Sequence, residues 1–202
     1  NVLVRDKGIR GIVIKLGNML RHFYEAEDLL VFGSGYSLAL ASYKAMECGR
    51  TGMEFAVGIP GSIGGAVYMN AGAYDGEMQN IVNCVKVMDL QGNERVLTAE
   101  ELNFGYRKTS LQNSGLIVTE VTLKMPSGNK DEIKSKMDDF SHRRISKQPL
   151  EMPSAGSMFK RPPGYFAGTL IDQAGLKGYT VGGAQISTTV SYTHLTLPTI
   201  LR

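Results

Sequence analysis

Apolar and polar positions alternate along several short stretches of the first half of the chain, and turn residues separate these stretches. Ile12, Ile14 and Leu16 lie two residues apart, as on one face of a strand. A continuous apolar run at residues 29–32 indicates a second, more deeply buried strand. The pattern therefore predicts a strand-rich first region.

A longer alternation at residues 116–125 predicts the clearest strand of the sequence. The residues predicted to face one side of it are Ile117, Thr119, Val121 and Leu123.

Two other stretches carry a helical pattern. Residues 37–48 consist largely of good helix formers, Ser37 can cap their N-terminus, and Gly49 suits the position just after the C-terminus. After Pro126, apolar residues recur at helical spacing until Pro149 ends the pattern. We expect this second apolar stripe to pack into a core.

A strand-rich region followed by a helix-led region predicts the α+β fold class with two domains. Pro126-Ser127-Gly128 is the clearest boundary in the sequence. We therefore expect a first domain at residues 1–125 and a second that begins at residue 126.

Composition narrows the classes of function. The chain has 202 residues, 43% of them apolar and 20% charged, as in ordinary globular proteins, and its net charge of +3 is too small to indicate nucleic acid. Cys48 and Cys84 lack metal-ligand spacing and are predicted to be reduced thiols. Neither a bilayer-spanning stretch nor a signal peptide is recognisable. We expect a cytoplasmic protein with no metal, membrane or nucleic-acid partner.

The most informative stretch is residues 58–73, which read GIPGSIGGAVYMNAGA and which we call the glycine run. Glycine lacks a Cβ, so backbone N–H groups in such a run can approach a ligand closely and suit a pyrophosphate. The run is not a P-loop, because no Gly-Lys-Ser/Thr closes it, and it lacks the G-x-G-x-x-G dinucleotide fingerprint. From the glycines alone, a surface loop without a ligand remains the alternative.

Two further motifs could carry chemistry. Residues 104–110 (FGYRKTS) place Arg107 on a loop, where its guanidinium could clamp a carboxylate and stabilise developing negative charge. Residues 153–162 (PSAGSMFKRP) place Ser157 among small residues and ahead of two cations. Serine is a very weak acid, so it can protonate only a strongly basic carbanion or enolate. A solvated arginine and a turn serine are the alternatives.

These three motifs, with GMEFA at residues 52–56 ahead of the first, resemble those of the UDP-N-acetylenolpyruvoylglucosamine reductase family in the same order. The resemblance covers residues 1–187. It implies an FAD-binding domain of the PCMH or vanillyl-alcohol-oxidase type, followed by a smaller α+β substrate-binding domain. It also implies FAD and NADPH as cofactors. The implied reaction reduces UDP-N-acetylglucosamine enolpyruvate, a small-molecule UDP-sugar, to UDP-N-acetylmuramate for peptidoglycan synthesis, and no protein partner is required.

The resemblance also implies roles for individual residues. Arg107 would stabilise the developing enolate, and Ser157 would protonate the adjacent carbon. Arg143, Lys147 and, with weaker support, Arg161 would bind the substrate diphosphate. The implied cofactor-binding residues are Asn1, Gly58, Ile59, Pro60, Gly61, Ser62, Gly64, Gly65, Asn70, Ala71 and Gly72. We expect valine at Gly64 or Gly65 to abolish flavin retention while leaving the fold largely intact.

The sequence departs from the family at both ends. Asn1 would be the last residue of a flavin-binding loop. The second domain would end at residue 188, and residues 189–202 are interpreted as a non-native tail in place of the segment that carries the family's catalytic glutamate. We therefore expect the chain as given to be inactive. A catalytically inactive nucleotide-binding remnant and another flavin oxidoreductase of the same fold are the alternative functions.

Overall fold

The computed structural model describes Val4 and residues 6–148, 154–157, 159–188 and 194–196. The chain divides into two compact units, one of residues 12–141 and one of the residues up to 11 together with those from 142 onward. The first unit thus extends past residue 125 into the helix that follows. The domain boundary predicted at residues 125 and 126 stays a prediction.

The described elements alternate short strands with a few helices. The strands in chain order are β1 (Phe23–Ala26), β2 (Leu29–Gly33), β3 (Gly72–Ala73), β4 (Gly76–Glu77), β5 (Val82–Met88), β6 (Glu94–Thr98), β7 (Ile117–Lys124), β8 (Ser154–Ser157), β9 (Thr180–Val181), β10 (Ala184–Ile186) and β11 (His194–Thr196). The α-helices are α1 (Leu38–Glu47), α2 (Ile63–Tyr68), α3 (Lys130–Lys147) and α4 (Ala167–Gln173), and 3-10 turns lie at Asn18–Leu20, Glu54–Ala56 and Met78–Asn80. No described helix is both long enough and apolar enough to cross a bilayer.

The unit of residues 12–141 is built on a five-stranded sheet in the order β1-β2-β7-β5-β6, with every neighbouring pair antiparallel. The inward face of this sheet and the helices α1 and α2 enclose the main apolar core, which includes Phe32, Val85 and Val121. The predicted strands at residues 29–32 and 116–125 are confirmed. A second sheet, in the order β8-β11-β10-β9, belongs to the other unit.

The predicted facing of β7 is wrong at its start. Lys86 pairs with Glu120 and the next residue, Val87, pairs with Val118, so Thr119 is an extra residue on β7. This bulge reverses the alternation: Val118, rather than Thr119, is buried together with Val121. The strand predicted at residues 12–16 is also wrong, because those residues form no strand.

Both predicted helices are present. Ser37 Oγ accepts a hydrogen bond from Leu40 N–H at the start of α1, and Gly49 follows its end with a φ of +66°. On α3, the predicted apolar stripe is buried at Ile133, Met137 and Phe140, which pack with Val57 and Met46. The stripe ends there, since Ile145 is 64% exposed.

Candidate functional site

The glycine run starts from a turn that a buried carboxylate holds in place. Glu54 lies at the start of the 3-10 turn and is only 3% exposed. Its two oxygens accept hydrogen bonds from Thr51 Oγ1 at 2.6 Å and from Gly52 N–H at 2.8 Å. These bonds give both buried carboxylate oxygens a donor within the lead-in segment, and Lys136 Nζ lies 4.0 Å from Oε1.

The loop of residues 33–37, which joins β2 to α1, packs against the first half of the run. Ile63 N–H donates to Tyr36 O and Gly64 N–H donates to Ser34 O, both at 2.9 Å. A Cβ at Gly64 would lie 2.7 Å from Ser34 Cβ. The absence of a side chain at Gly64 is therefore required by protein packing, and the expectation that valine there leaves the fold intact is wrong.

Two other glycines serve the run differently. Gly61 has a φ of +129°, which side chains other than glycine's rarely adopt, and a Cβ there would meet no atom within 4 Å. Gly65 is exposed, and the nearest atom to a Cβ at this position would be Ser62 Oγ at 3.4 Å. The structure thus leaves the backbone at Gly61 and Gly65 open to approach from solvent.

A cleft of about 530 Å³ opens at this point. The residues that line it are Arg21, Gly35, Tyr36, Ser37, Leu40, Gly61 and Ser62. Among the described residues, no protein acceptor binds the N–H groups of Gly61 and Ser62. By contrast, Ile59 N–H donates to Ala56 O at 3.0 Å, and Gly65 N–H donates to Ser62 Oγ at 3.3 Å. Two residues that line the cleft thus carry adjacent backbone N–H groups with no acceptor among the described residues, which suits an anionic ligand.

Arg107 lies on a tight turn, residues 105–108, which we call the Arg107 turn. Gly105 N–H donates to Lys108 O at 2.9 Å, and Lys108 N–H donates back to Gly105 O at 3.1 Å. Arg107 itself has a φ of +54°. Its guanidinium donates from Nη1 to Asn70 O at 3.0 Å and from Nη2 to Gly72 O at 2.7 Å. The predicted catalytic arginine is thus fixed on the far end of the glycine run.

Asn70 is fully buried, and its side chain binds protein groups. Its Nδ2 donates to Glu77 Oε2 at 3.2 Å and to Gly105 O at 3.1 Å, and its Oδ1 accepts from Gln79 N–H at 3.0 Å. The sequence placed Asn70 among the cofactor-binding residues. In the structure, both N–H groups of its amide are occupied by protein acceptors.

The other predicted cofactor-binding residues of the run differ in burial and in the backbone contacts that they make. Ala71 is half-buried, and its N–H donates to Ala66 O at 2.8 Å. A Cβ at Gly72 would lie 2.6 Å from Gly76 O across the hairpin of β3 and β4, so this glycine is also needed for packing. Gly58 is half-buried and Pro60 is exposed.

Two side chains that the sequence analysis did not single out anchor the Arg107 turn to α2. Thr109 is 2% exposed and donates from Oγ1 to Tyr68 O at 2.9 Å. Gln112 donates from Nε2 to Arg107 O at 3.1 Å and to Tyr68 O at 3.3 Å. These bonds satisfy a carbonyl at the C-terminal end of α2, which has no partner within its own helix. Both residues follow Arg107 closely in sequence, which is the one signal that could have found them.

The other predicted residues belong to the second unit. Arg143 is exposed near the end of α3, where its carbonyl accepts from Ser146 Oγ at 3.1 Å, and Lys147 is the last residue of that helix. Ser157 ends β8, opposite His194 of β11. The Arg161 guanidinium lies 4.0 Å from the centre of the exposed Phe166 ring. Asn1 lies outside the described residues.

Cys48 and Cys84 are both free thiols. Burial raises the pKa of the Cys48 thiol to about 11, and a hydrogen bond from its Sγ to Glu25 Oε1 at 3.3 Å adds to this effect. The thiolate is the nucleophilic form, so this cysteine is poorly reactive near neutral pH.

Comparisons with known proteins identify the family of the chain. Residues 1–98 match the family model for the FAD binding domain, and residues 148–192 match that for the UDP-N-acetylenolpyruvoylglucosamine reductase C-terminal domain. The fold is similar to the crystal structure of UDP-N-acetylenolpyruvylglucosamine reductase from Thermus caldophilus, with a TM-score of 0.84 and 38% identity. That match covers 96% of this chain and 70% of the other. The chain belongs to the UDP-N-acetylenolpyruvoylglucosamine reductase family.

Curated members of the family are closer in sequence. The reductase of Clostridium perfringens strain SM101 is 51% identical over 187 residues, which are 93% of this chain and 61% of that protein. The reductase of Geobacillus thermodenitrificans is 50% identical over 188 residues, again 93% of this chain and 62% of that protein. The chain thus spans about three fifths of the length of the curated relatives it matches. The predicted family and the α+β fold with an FAD-binding domain of PCMH type are confirmed.

Proposed function

We propose that the chain is part of an NADPH-dependent flavoenzyme that reduces UDP-N-acetylglucosamine enolpyruvate to UDP-N-acetylmuramate. The observation that carries this proposal is the Arg107 guanidinium, which two hydrogen bonds hold against the carbonyls of the glycine run. The product is a peptidoglycan precursor, so the reaction would serve cell shape and division. We place the enzyme in the cytoplasm, with a small-molecule UDP-sugar and no required protein partner.

The glycine run fits an FAD pyrophosphate. Gly61 and Ser62 present N–H groups without protein acceptors on a cleft, and the open backbone at Gly65 leaves room for close approach. We assign the direct contacts to these residues. Gly64, Asn70 and Gly72 would act by shaping the run. The full proposed cofactor-binding set is Asn1, Gly58, Ile59, Pro60, Gly61, Ser62, Gly64, Gly65, Asn70, Ala71 and Gly72.

A bound FAD would supply the hydride for the enolpyruvyl double bond, with NADPH as its source. Arg107 has further N–H groups beyond the two that bind carbonyls, and these would bind the substrate carboxylate and stabilise negative charge that develops there. Ser157 would hold at Oγ the proton that the adjacent carbon receives. Arg143, Lys147 and Arg161 would bind the substrate diphosphate.

The test uses a longer enzyme, in which this chain is fused to the segments of a family relative that the chain does not cover. Enolpyruvyl-substrate-dependent NADPH oxidation with a bound flavin would support the proposed reaction, and flavin binding without this turnover would contradict it. In Ser157→Ala, NADPH should still bleach the flavin at a near-normal rate. Reoxidation by substrate should slow by roughly 10²–10⁴-fold, the usual value of general acid catalysis. Ser135→Ala, an exposed serine of α3, is the control, and a loss below about tenfold in Ser157→Ala would contradict its role.

A further inference from the structure

We propose that Asn70 is a positioning residue for Arg107, and that its side chain acts on the Arg107 turn rather than on the cofactor. The role of Arg107 in the reaction comes from the proposed function, on which this part of the inference rests. The contacts that hold the turn come from the structure alone.

Asn70 binds the Arg107 turn through both its side chain and its backbone. Its side-chain Nδ2 donates to Gly105 O at 3.1 Å, at the base of the turn. Its backbone carbonyl accepts from Arg107 Nη1 at 3.0 Å, at the functional end. One buried residue therefore binds the start of the turn and, together with Gly72 O, the guanidinium.

The backbone of Asn70 is adapted to this task. Its φ is +41°, in the left-handed region that asparagine tolerates better than most other residues. This conformation follows the end of α2, where Asn70 N–H donates to Val67 O at 3.0 Å. The remaining side-chain bonds, to Glu77 Oε2 and from Gln79 N–H, hold the amide in one orientation. A residue with a different side chain could keep the left-handed backbone at position 70 and still lose the hydrogen bond to Gly105 O.

Asn103 offers a matched control. It has nearly the same φ, +44°, and lies two residues before Gly105. It is exposed, and no side-chain hydrogen bond of Asn103 occurs among the described residues. Substitution at Asn103 therefore reports the cost of an altered left-handed asparagine without loss of the contacts made by Asn70.

Limited trypsin digestion tests the proposal on this chain without a cofactor. Trypsin cleaves after Arg107 and Lys108, both on the turn. Asn70→Asp keeps the shape and the Oδ1 acceptor, but it replaces the donating amide by a carboxylate oxygen beside Glu77 Oε2 and Gly105 O. Cleavage on the turn should be at least tenfold faster than in wild type. Asn70→Gly, which keeps the backbone conformation, should behave in the same way if the aspartate variant fails to fold. Asn103→Asp should leave the rate within about twofold of wild type.

Cleavage after Lys44, within α1, reports opening of the whole unit. Faster cleavage after Arg107 and Lys108 at an unchanged Lys44 rate would support positioning by Asn70. Unchanged cleavage on the turn, or an equal rise at Lys44, would overturn the proposal.

Turnover measurements on the longer enzyme separate this inference from the proposed function. If Arg107 acts in the reaction, Asn70→Asp should lower kcat by tenfold or more while the KM for substrate changes little. An exposed turn in Asn70→Asp together with normal kcat would leave positioning intact and contradict the catalytic role of Arg107. A lowered kcat with a fully protected turn would contradict positioning.

Discussion

The glycine run and the Arg107 turn lie against each other, yet the protein builds them by different means. At residues 58–65 the geometry depends on missing side chains: Gly64 packs on Ser34, and Gly61 adopts a φ of +129°. At the Arg107 turn the geometry depends on side chains that reach backbone groups, above all those of Asn70 and Thr109. Added bulk should therefore break the first region, and loss of hydrogen-bonding groups should break the second.

The largest effect should come from Gly64→Val. A Cβ at this position would lie 2.7 Å from Ser34 Cβ and 3.0 Å from Ser34 O, and neither belongs to a flexible side-chain end. Relief requires α2 to move away from the loop of residues 33–37. We expect the free energy of unfolding to fall by roughly 3 kcal/mol or more. Urea denaturation followed by circular dichroism measures it.

Gly92→Val is a control for glycine replacement away from the run, in a turn where a Cβ would meet nothing within 4 Å. Its φ of +90° still imposes strain, so its cost measures backbone strain without a clash. If Gly64→Val were no more destabilising than Gly92→Val, packing against Ser34 would not explain the glycine.

Thr109→Val should have an intermediate effect, in the second region. Valine keeps the volume of threonine but removes the hydroxyl that donates to Tyr68 O at 2.9 Å. Gln112 Nε2 still donates to the same carbonyl at 3.3 Å, so the acceptor is not fully orphaned. We expect a loss of about 1 kcal/mol in the free energy of unfolding.

The exposed neighbour provides the comparison for Thr109→Val. Ser110→Ala also removes a hydroxyl bond, to Glu101 O, but at the surface. Its effect on the free energy of unfolding should stay within about 0.5 kcal/mol. If both substitutions changed the free energy of unfolding equally, burial of the Thr109 hydrogen bond would add nothing to stability.

The contrast between the two regions also explains what the sequence could predict. Glycine density at residues 58–73 indicates a stretch whose backbone must approach other groups closely, and the family motif distinguishes it from a surface loop. The packing of Gly64 on Ser34 is different. It joins positions that are distant in the chain, and no local pattern at Ser34 indicates it. Sequence reasoning therefore found the glycines but not the packing that Gly64 makes with Ser34.

The same limit applies to the strands and to the Arg107 turn. Alternation located β7, but the extra residue at Thr119 depends on pairing with β5, so the side that Val118 faces could not be read from β7 alone. Arg107 was found through its motif. Its partners Asn70 and Gly72 lie far away in sequence and contribute backbone carbonyls, which every residue has. No residue type could have signalled that contact.

Gly65→Ala should separate the fold from the cofactor within the glycine run. Alanine is a better helix former than glycine, and its Cβ would meet only Ser62 Oγ at 3.4 Å. We expect the free energy of unfolding to change by about 1 kcal/mol or less, with stabilisation favoured. FAD affinity, measured by fluorescence quenching on the longer enzyme, should fall by about tenfold if the pyrophosphate lies over this position, equivalent to about 1.4 kcal/mol. Unchanged affinity would mean that the cofactor does not contact this position.

The smallest effect should come from Ser34→Ala, on the loop that packs against Gly64. Ser34 is fully buried, and its Oγ has no hydrogen-bond partner among the described residues. An unpaired buried hydroxyl destabilises the folded state, so its removal should leave the free energy of unfolding unchanged or raise it by up to about 1 kcal/mol. Ser34→Val adds a methyl group next to Gly64, where the packing leaves no room. It should instead lower the free energy of unfolding by about 1–3 kcal/mol. Urea denaturation of both variants measures the pair. A clear loss of stability in Ser34→Ala would show that the hydroxyl has a partner in solution, and the loop would then resemble the Arg107 turn, which side-chain hydrogen bonds hold in place.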